Sequence, residues 1–414
     1  MRKIAADLLF TTDPLQTSFA PIKNGCVSVG DGGEILEVKQ LTNVEVAAAA
    51  EKKPEQAAEG EIEFYRGILC PGFVNAHSHI ELSHLRGAFK EATGMSGFIN
   101  QINALREAVE KPGRLAAMKS EFENFYNQGI AGCADISNCD ESFEFKKNSK
   151  VYFRTFIELF GSEPQDAQSV LSGGIKLQEE ARSMGLDAAV TPHSCYTMSP
   201  RLLEMAAQEG LKSGYLSYHS QESQEEEDMI MKGSGALEEN YKGRNLSTPP
   251  VTGNTALHYF IDRMLTFSKT PVHGRINLVH NVVISQKAID YAKEKIAEPF
   301  FTICPLSNIF IHRALPPLNL MRSNRLAICL GTDSLSSNKV LSMVEEIKCV
   351  QENFPEIPLE EILGWACING AEVIGKEKEL GSISAGKRPG IVLIDNIDFK
   401  NFRLTAESKS RRIA

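Results

Sequence analysis

The feature that most constrains this chain is a repeated alternation of strand-like and helix-like stretches through its middle. Eight short apolar runs, each ending in small or polar residues, fall at 67–76, 131–137, 151–158, 188–193, 216–220, 276–280, 300–304 and 326–333. Helical patterns follow most of them, at 96–127 with a break at Lys111-Pro112-Gly113, then 167–183, 200–209, 285–295 and 339–352. Strands that alternate with helices pair in parallel, because each crossover must return over the sheet. The closed form of eight such units is a (β/α)8 TIM-like barrel. The span from His77 to Asp333 is close to the ~250 residues such a barrel takes.

The two chain ends have a different texture. Short apolar runs at 4–10, 25–29 and 34–38 flank the turn signal Gly30-Asp31-Gly32-Gly33. Near the C-terminus, Ile391-Val392-Leu393-Ile394 follows the turn-forming Gly386-Lys387-Arg388-Pro389-Gly390. These pieces are expected to pair as one small β-sandwich domain made of 1–68 and 380–414, with the barrel spanning 69–379. Residues 45–60 are low in complexity and read as an exposed excursion. Segments 80–97 and 232–254 are too long for tight connections. Both would sit at the catalytic end of the barrel, as candidate substrate loops.

Charge and cysteine usage exclude several function classes. The chain carries 44 Lys and Arg against 53 Asp and Glu, a net charge of −9. An acidic protein has no electrostatic reason to seek nucleic acid or an anionic membrane. The sequence holds no apolar stretch long enough to span a bilayer, and Asp7 and Asp13 interrupt any N-terminal leader-like run. Nine scattered cysteines without a C-x-x-C argue for reduced thiols in a cytoplasm, not a disulfide framework or a thiolate zinc site. The expectation is a cytoplasmic enzyme acting on a small molecule.

On a barrel, catalytic groups sit at the C-terminal ends of the strands. His77 and His79 close the first expected strand, His193 the fourth, His219 the fifth, His280 the sixth and Asp333 the eighth. On an extended strand His77 and His79 point to one face and can reach one ion. His219 and Asp333, from elsewhere on the ring, could complete the set. Imidazole nitrogens with a carboxylate, leaving a position for water, suit a catalytic divalent metal.

Several motifs then carry a resemblance. Pro71-Gly72-Phe73-Val74-Asn75-Ala76-His77-Ser78-His79 resembles the first-strand motif of the amidohydrolase superfamily. Cys304-Pro305-Leu306-Ser307-Asn308 and Gly331-Thr332-Asp333-Ser334 resemble its late-strand motifs, and Leu380-Gly381-Ser382-Ile383-Ser384-Ala385-Gly386-Lys387 its terminal sandwich. Within it, the chain is similar to the deaminase and chlorohydrolase branch, which includes S-adenosylhomocysteine, methylthioadenosine and aminofutalosine deaminases. His219-Ser220-Gln221-Glu222 matches the branch's H-x-x-E, and His280 its sixth-strand histidine. Thr191-Pro192-His193-Ser194-Cys195-Tyr196-Thr197 resembles its fourth-strand loop, and Glu81-Leu82-Ser83 resembles aminofutalosine deaminases. The chain departs from the family at Pro389-Gly390-Ile391, where Ala-Asp-Leu is usual.

The resemblance implies one divalent metal, zinc or alternatively iron(II), held by His77, His79, His219 and Asp333. No lysine stands at a strand end to bridge a second ion. It implies His193, Glu222 and His280 as substrate contacts, and Glu222, His280 and Asp333 as the catalytic groups. Dimers are common in the family, so a homodimer is one expectation. The reaction implied is hydrolytic deamination of an aminated ring, most simply an adenosine-type nucleoside. Glu222 would protonate the ring nitrogen, which needs a carboxyl pKa raised by burial. Asp333 would carry the water's proton to the departing amine, and His280 would hold the developing oxygen. Dechlorination or other C–N hydrolysis on a non-purine ring is the alternative within the class, and a catalytically inactive scaffold barrel the alternative outside it. A cytidine-deaminase-type zinc enzyme is excluded by the missing P-C-x-x-C. Glu225 to Asp228 read as a solvated helix N-terminus, and Arg86, Ser307, Asn308 and Trp365 as packing or loop residues.

Overall fold

The computed structural model describes residues 1–14 and 20–414. Three strands open the chain: β1 (Arg2–Leu9), β2 (Ile22–Val29) and β3 (Ile35–Gln40). They are followed by β4 (Ile62–Pro71), β5 (Phe73–Ser78), β6 (Ile130–Ser137), β7 (Tyr152–Leu159) and β8 (Asp187–Pro192). The later strands are β9 (Tyr215–Ser220), β10 (Val272–His280), β11 (Ile296–Ile303), β12 (Ala327–Leu330) and β13 (Ile391–Ile394). A short ribbon of β14 (Ile397–Asp398) and β15 (Arg403–Leu404) precedes β16 (Ser410–Arg412).

Among the described residues β5-β6-β7-β8 form one parallel sheet, and β9-β10-β11-β12 form another. Every residue of β5 and β6 is buried. That is the pattern of parallel strands covered on both faces, and it explains why these runs read as continuous apolar stretches. Main-chain hydrogen bonds link the facing edges. His219 N donates to the His193 carbonyl at 2.9 Å, and Thr332 N to the His77 carbonyl at 3.0 Å. Val74, Ala134, Phe156, Phe300 and Cys329, drawn from both sheets, meet in one apolar cluster with Ile374 and Leu380. Outside the sheets, helices pack their apolar stripes inward. Tyr218 of β9, for example, stacks on Phe260 of the helix Ala256–Leu265 with ring centroids 3.7 Å apart.

The chain ends do pair. They form a six-stranded mixed sheet in the order β16-β13-β4-β1-β2-β3, with β13 antiparallel to β4. The expected strand at 67–76 is in fact two. β4 belongs to the terminal sheet and β5 to the parallel one, divided at Gly72. A Cβ at Gly72 would lie 2.3 Å from the Pro389 carbonyl oxygen and 2.6 Å from the Ala131 Cβ, so only glycine fits where the two sheets meet. The exposed excursion at 45–60 contains the helix Asn43–Ala50, started by a capping box between Thr42 and Glu45, and none of its residues is buried. Lys111-Pro112-Gly113 opens the helix Lys111–Gln128 and does not interrupt one, because Pro112 sits in the first turn, where no intrahelical N–H is lost. None of the helices among the described residues is long and apolar enough to cross a membrane.

Candidate metal centre and active site

The strand-end rule gathers the expected residues at one place. His77 ends β5 fully buried, and His79 follows it. The two Nε2 atoms are 3.1 Å apart, and His79 Nε2 is 3.3 Å from His219 Nε2 on β9. Asp333 Oδ1 lies 3.8 Å from His77 Nε2 and 3.6 Å from His79 Nε2. Four donors on a tetrahedron with 2.0–2.1 Å bonds stand about 3.3–3.4 Å from one another. The observed separations bracket that value.

Protonation favours the same reading. Burial, with neighbouring imidazoles adding to it, holds His77 and His79 well below the ordinary histidine pKa, and lowers His219 to about 4. Neutral imidazoles are the ligand form. His219 Nδ1 lies 3.2 Å from the His193 carbonyl oxygen, which can only accept. The proton therefore sits on Nδ1 and the Nε2 lone pair faces the other donors. Asp333 is oriented the same way. Its Oδ2 accepts the hydroxyls of Ser307 and Ser337, each at 2.6 Å, which leaves Oδ1 toward the histidines. Gly331 lets this segment approach: a Cβ there would stand 3.0 Å from the His77 main chain.

Two of the groups stand on unusual backbone. His280 has φ 78° and Asp333 φ 56°. Non-glycine residues seldom adopt these left-handed values, and they cluster at functional sites where surrounding contacts hold them. Asn281, the next residue after His280, is tied down on both sides: its N donates to the Ser220 carbonyl at 2.9 Å, and its Nδ2 to the Leu278 carbonyl at 2.7 Å.

Glu222 is 4% exposed. Its Oε1 lies 3.6 Å from His280 Nε2 and 3.9 Å from His312 Nε2. Burial, and then the charge of Asp333, push its pKa well above the carboxylate range, so it holds a proton. The amide of Asn308 donates to His280 Nδ1 at 3.0 Å, so the His280 proton lies on Nε2 and faces Glu222. The local chain fixes Glu222 by a reciprocal cap. Ser223 Oγ accepts from Glu226 N at 3.1 Å, while Glu226 Oε2 accepts from Glu222 N at 2.8 Å.

That cap corrects the solvated reading of the acidic run. Glu226 and Glu227 are buried, and burial raises Glu226 to about 8. Glu225 is partly buried and reaches across to the helix Gly94–Leu105, accepting from Met95 N and Ser96 N at 2.9 Å each. A carboxylate at a helix N-terminus satisfies otherwise unpaired N–H groups. The expected substrate segment 80–97 is thereby tied to the Glu222 turn.

A cavity of about 460 Å³ opens beside this cluster and includes His79, His193, His219, Glu222, His280 and Asp333 in its wall. The helix Gly94–Leu105 adds Met95, Phe98 and Ile102, and segment 232–254 adds Tyr241, Arg244 and Leu246. Both long segments thus reach the cavity. His193 is at the wall with Nδ1 engaged by the Ser194 and Thr197 hydroxyls at 2.8 and 2.9 Å. The rings of His193, His219 and His280 stack in a row, with centroids 4.4 and 5.4 Å apart.

Sequence reasoning missed several groups. Ser307 and Asn308, read as loop residues, orient Asp333 and His280. Glu158 ends β7 beside His193 and His219, although the rule that found those histidines applies equally to a carboxylate there. Glu81, close to the histidine pair, faces away from the cavity. Its oxygens accept from Asn138 N at 2.8 Å and Ser142 Oγ at 2.9 Å, so it braces the β6 loop.

A family model described as the amidohydrolase family matches residues 68–413. The chain belongs to the amidohydrolase family. Among amidohydrolase relatives, an adenosine deaminase of Helicobacter pylori is 24% identical over 372 residues, covering 88% of this chain and 87% of the relative. Among solved structures, Helicobacter pylori aminofutalosine deaminase in complex with methylthio-coformycin superposes with a TM-score of 0.78 at 21% identity, covering all of both chains. Atrazine chlorohydrolase from Arthrobacter aurescens, complexed with zinc, gives 0.72 at 15% identity, covering 99% of this chain and 93% of that one. This amidohydrolase therefore shares the fold of deaminases and chlorohydrolases alike.

Proposed function

We propose that this amidohydrolase removes the amine from the ring of an adenosine-type nucleoside by hydrolysis, at one divalent metal held by His77, His79, His219 and Asp333. The observation that carries the reading is the buried carboxyl of Glu222 set 3.6 Å from His280 Nε2, in the same cavity as the four converging donors, where burial raises its pKa. A divalent ion in that set supplies Lewis-acid chemistry and lowers the pKa of water toward ~7. The Asp333 carboxylate takes the water's proton and passes it to the departing amine. Glu222 protonates the ring nitrogen next to the carbon under attack, which lets that carbon accept an electron pair. His280 donates Nε2–H to the developing oxygen, and His193 contacts the ring from the cavity wall.

The reading extends to the architecture and setting. The two parallel sheets close into a (β/α)8 barrel that begins at β5, after the division at Gly72 rather than at 69, supported by the hydrogen bonds across their edges and the shared apolar cluster. The residues before Gly72, with 380–414, form the small β-sandwich. Nine free cysteines fit a reducing cytoplasm. The relatives, which include methylthioadenosine/S-adenosylhomocysteine and aminodeoxyfutalosine deaminases, and the solved structure with methylthio-coformycin favour adenosine, methylthioadenosine, S-adenosylhomocysteine or aminodeoxyfutalosine as the substrate class.

The test is a panel of these nucleosides followed by the absorbance change on deamination and by ammonia release, beside elemental analysis of the purified protein. About one zinc or iron per chain, with turnover of at least one nucleoside, is expected. Chloride release from a chlorinated triazine without nucleoside turnover would move the protein to the chlorohydrolase reading. Silence toward all of them with metal bound would sink both.

A further inference from the structure

Glu158 is 5% exposed, lies in the cavity wall, and has one oxygen with nothing to accept. Its Oε2 is taken by Asn138 Nδ2 at 3.2 Å, and the same amide donates to the Glu158 carbonyl at 3.1 Å. Arg106 in turn holds the Asn138 Oδ1 at 2.8 Å. These contacts lock the side chain. Its Oε1 accepts no hydrogen bond among the described residues. His219 Nδ1 approaches it to 3.4 Å, but that N–H already meets the His193 carbonyl. His193 Nε2 stands 4.0 Å away. A buried carboxylate oxygen without a donor is costly, and a carboxylate fixed this firmly in a cavity wall is completed by what enters the cavity.

The position says which part of the substrate that is. The row of rings runs His193, His219, His280. Glu222 stands at the His280 end and Glu158 at the His193 end. The reacting edge of the ring must face Glu222, His280 and Asp333, so the far end of the molecule faces Glu158. The chemistry is limited to a neutral donor. Only one oxygen is free, and the Arg106 guanidinium is tied in through Asn138, which disfavours a cation. A hydroxyl fits.

We propose that Glu158 is a specificity-determining residue that accepts a hydrogen bond from a sugar hydroxyl of the nucleoside. The inference rests on the deaminase reading above. The experiment compares deamination of a parent nucleoside with its 2′-deoxy and 3′-deoxy forms by the wild-type protein, Glu158→Gln and Glu158→Met, with metal content measured for each. In the wild type, loss of the recognised hydroxyl should lower kcat/KM by about tenfold, the scale of one buried hydrogen bond. In Glu158→Met the parent and deoxy compounds should fall within about threefold of each other, because nothing is left to read the hydroxyl. Glu158→Gln, which keeps the shape and an uncharged acceptor, should lie between. Metal content should stay unchanged in both variants.

Equal wild-type turnover of parent and deoxy forms would overturn the inference and leave deamination standing. Persistence of the full hydroxyl preference in both variants would do the same, as would loss of metal with unchanged selectivity, which would make Glu158 a brace for His219 alone. Absence of turnover of every nucleoside by the wild type would overturn this inference together with the deaminase reading.

Discussion

Lys146 and Asp135 form an ion pair that no water reaches, and breaking it should destabilise this protein more than any single surface change. The ammonium lies 2.7 Å from Asp135 Oδ2 and 2.7 Å from Ser137 Oγ, with both side chains of the pair wholly buried. Asp135 Oδ1 accepts from Ile80 N at 3.0 Å, and Ile80 directly follows His79. Lys146→Met removes the cation and leaves the carboxylate with a single main-chain donor. Stranding one member of a buried pair costs about 3–5 kcal/mol. Desolvation already raises the pKa of Asp135 against the pull of Lys146, and loss of the ammonium raises it further. An acid whose folded pKa is raised destabilises the fold at pH above that pKa, and the deficit fades as pH falls toward the ~3.9 of an unfolded aspartate. The double variant Asp135→Asn/Lys146→Met keeps an acceptor for Ile80 N and buries no charge. It should recover to within about 1–2 kcal/mol of the wild type. The measurement is the unfolding free energy from urea denaturation at neutral and mildly acidic pH. A Lys146→Met protein within about 1 kcal/mol of the wild type at neutral pH would refute the argument. A double variant no more stable than the single one would also refute it.

Two further outcomes follow from the site. Ser307→Ala and Ser337→Ala each remove a 2.6 Å hydroxyl from Asp333 Oδ2. Each should weaken metal retention by about ten- to a hundredfold, read by competition with a chelator, and unchanged retention would show that Asp333 needs neither partner. Glu222 must begin protonated, so kcat/KM should hold below its raised pKa and fall as pH rises through it. Glu222→Gln should lower kcat by about 10²–10⁴ and erase that limb with metal content intact. An unaltered pH profile would assign the limb to another group.

What was legible in the chain and what was not divide along a physical line. The parallel strands could be read because residues buried on both faces must be apolar without a break, and their helices because their apolar stripes recur at helical spacing. The pairing of the two ends was legible as β texture, but not the division at Gly72. Pro71-Gly72 marks a break in the run from Ile68 to Ala76 but not that its halves join different sheets, since the reason for glycine there lies in Pro389 and Ala131, far along the chain. His77, His79, His193, His219 and His280 were legible because imidazole is rare and one positional rule covers these five, whereas His312, at the end of a helix, escapes it. The carboxylates were not, because a carboxylate's part is set by what it faces. Asp333 spends one oxygen on two serines and keeps the other for the histidines. Glu226 spends both on the turn that carries Glu222, and Glu81 spends both on the β6 loop. Glu222 and Glu158 both stand in the cavity wall, at opposite ends of the same row of rings. Spacing along the chain cannot tell these cases apart, since Glu222 and Glu226 lie four residues apart in one acidic run. The distinction is an inventory of donors around each oxygen. By that inventory the site is a set of neutral imidazoles flanked by two carboxyl groups in the cavity wall, one at the reacting end of the substrate and one at the end that decides which substrate is held.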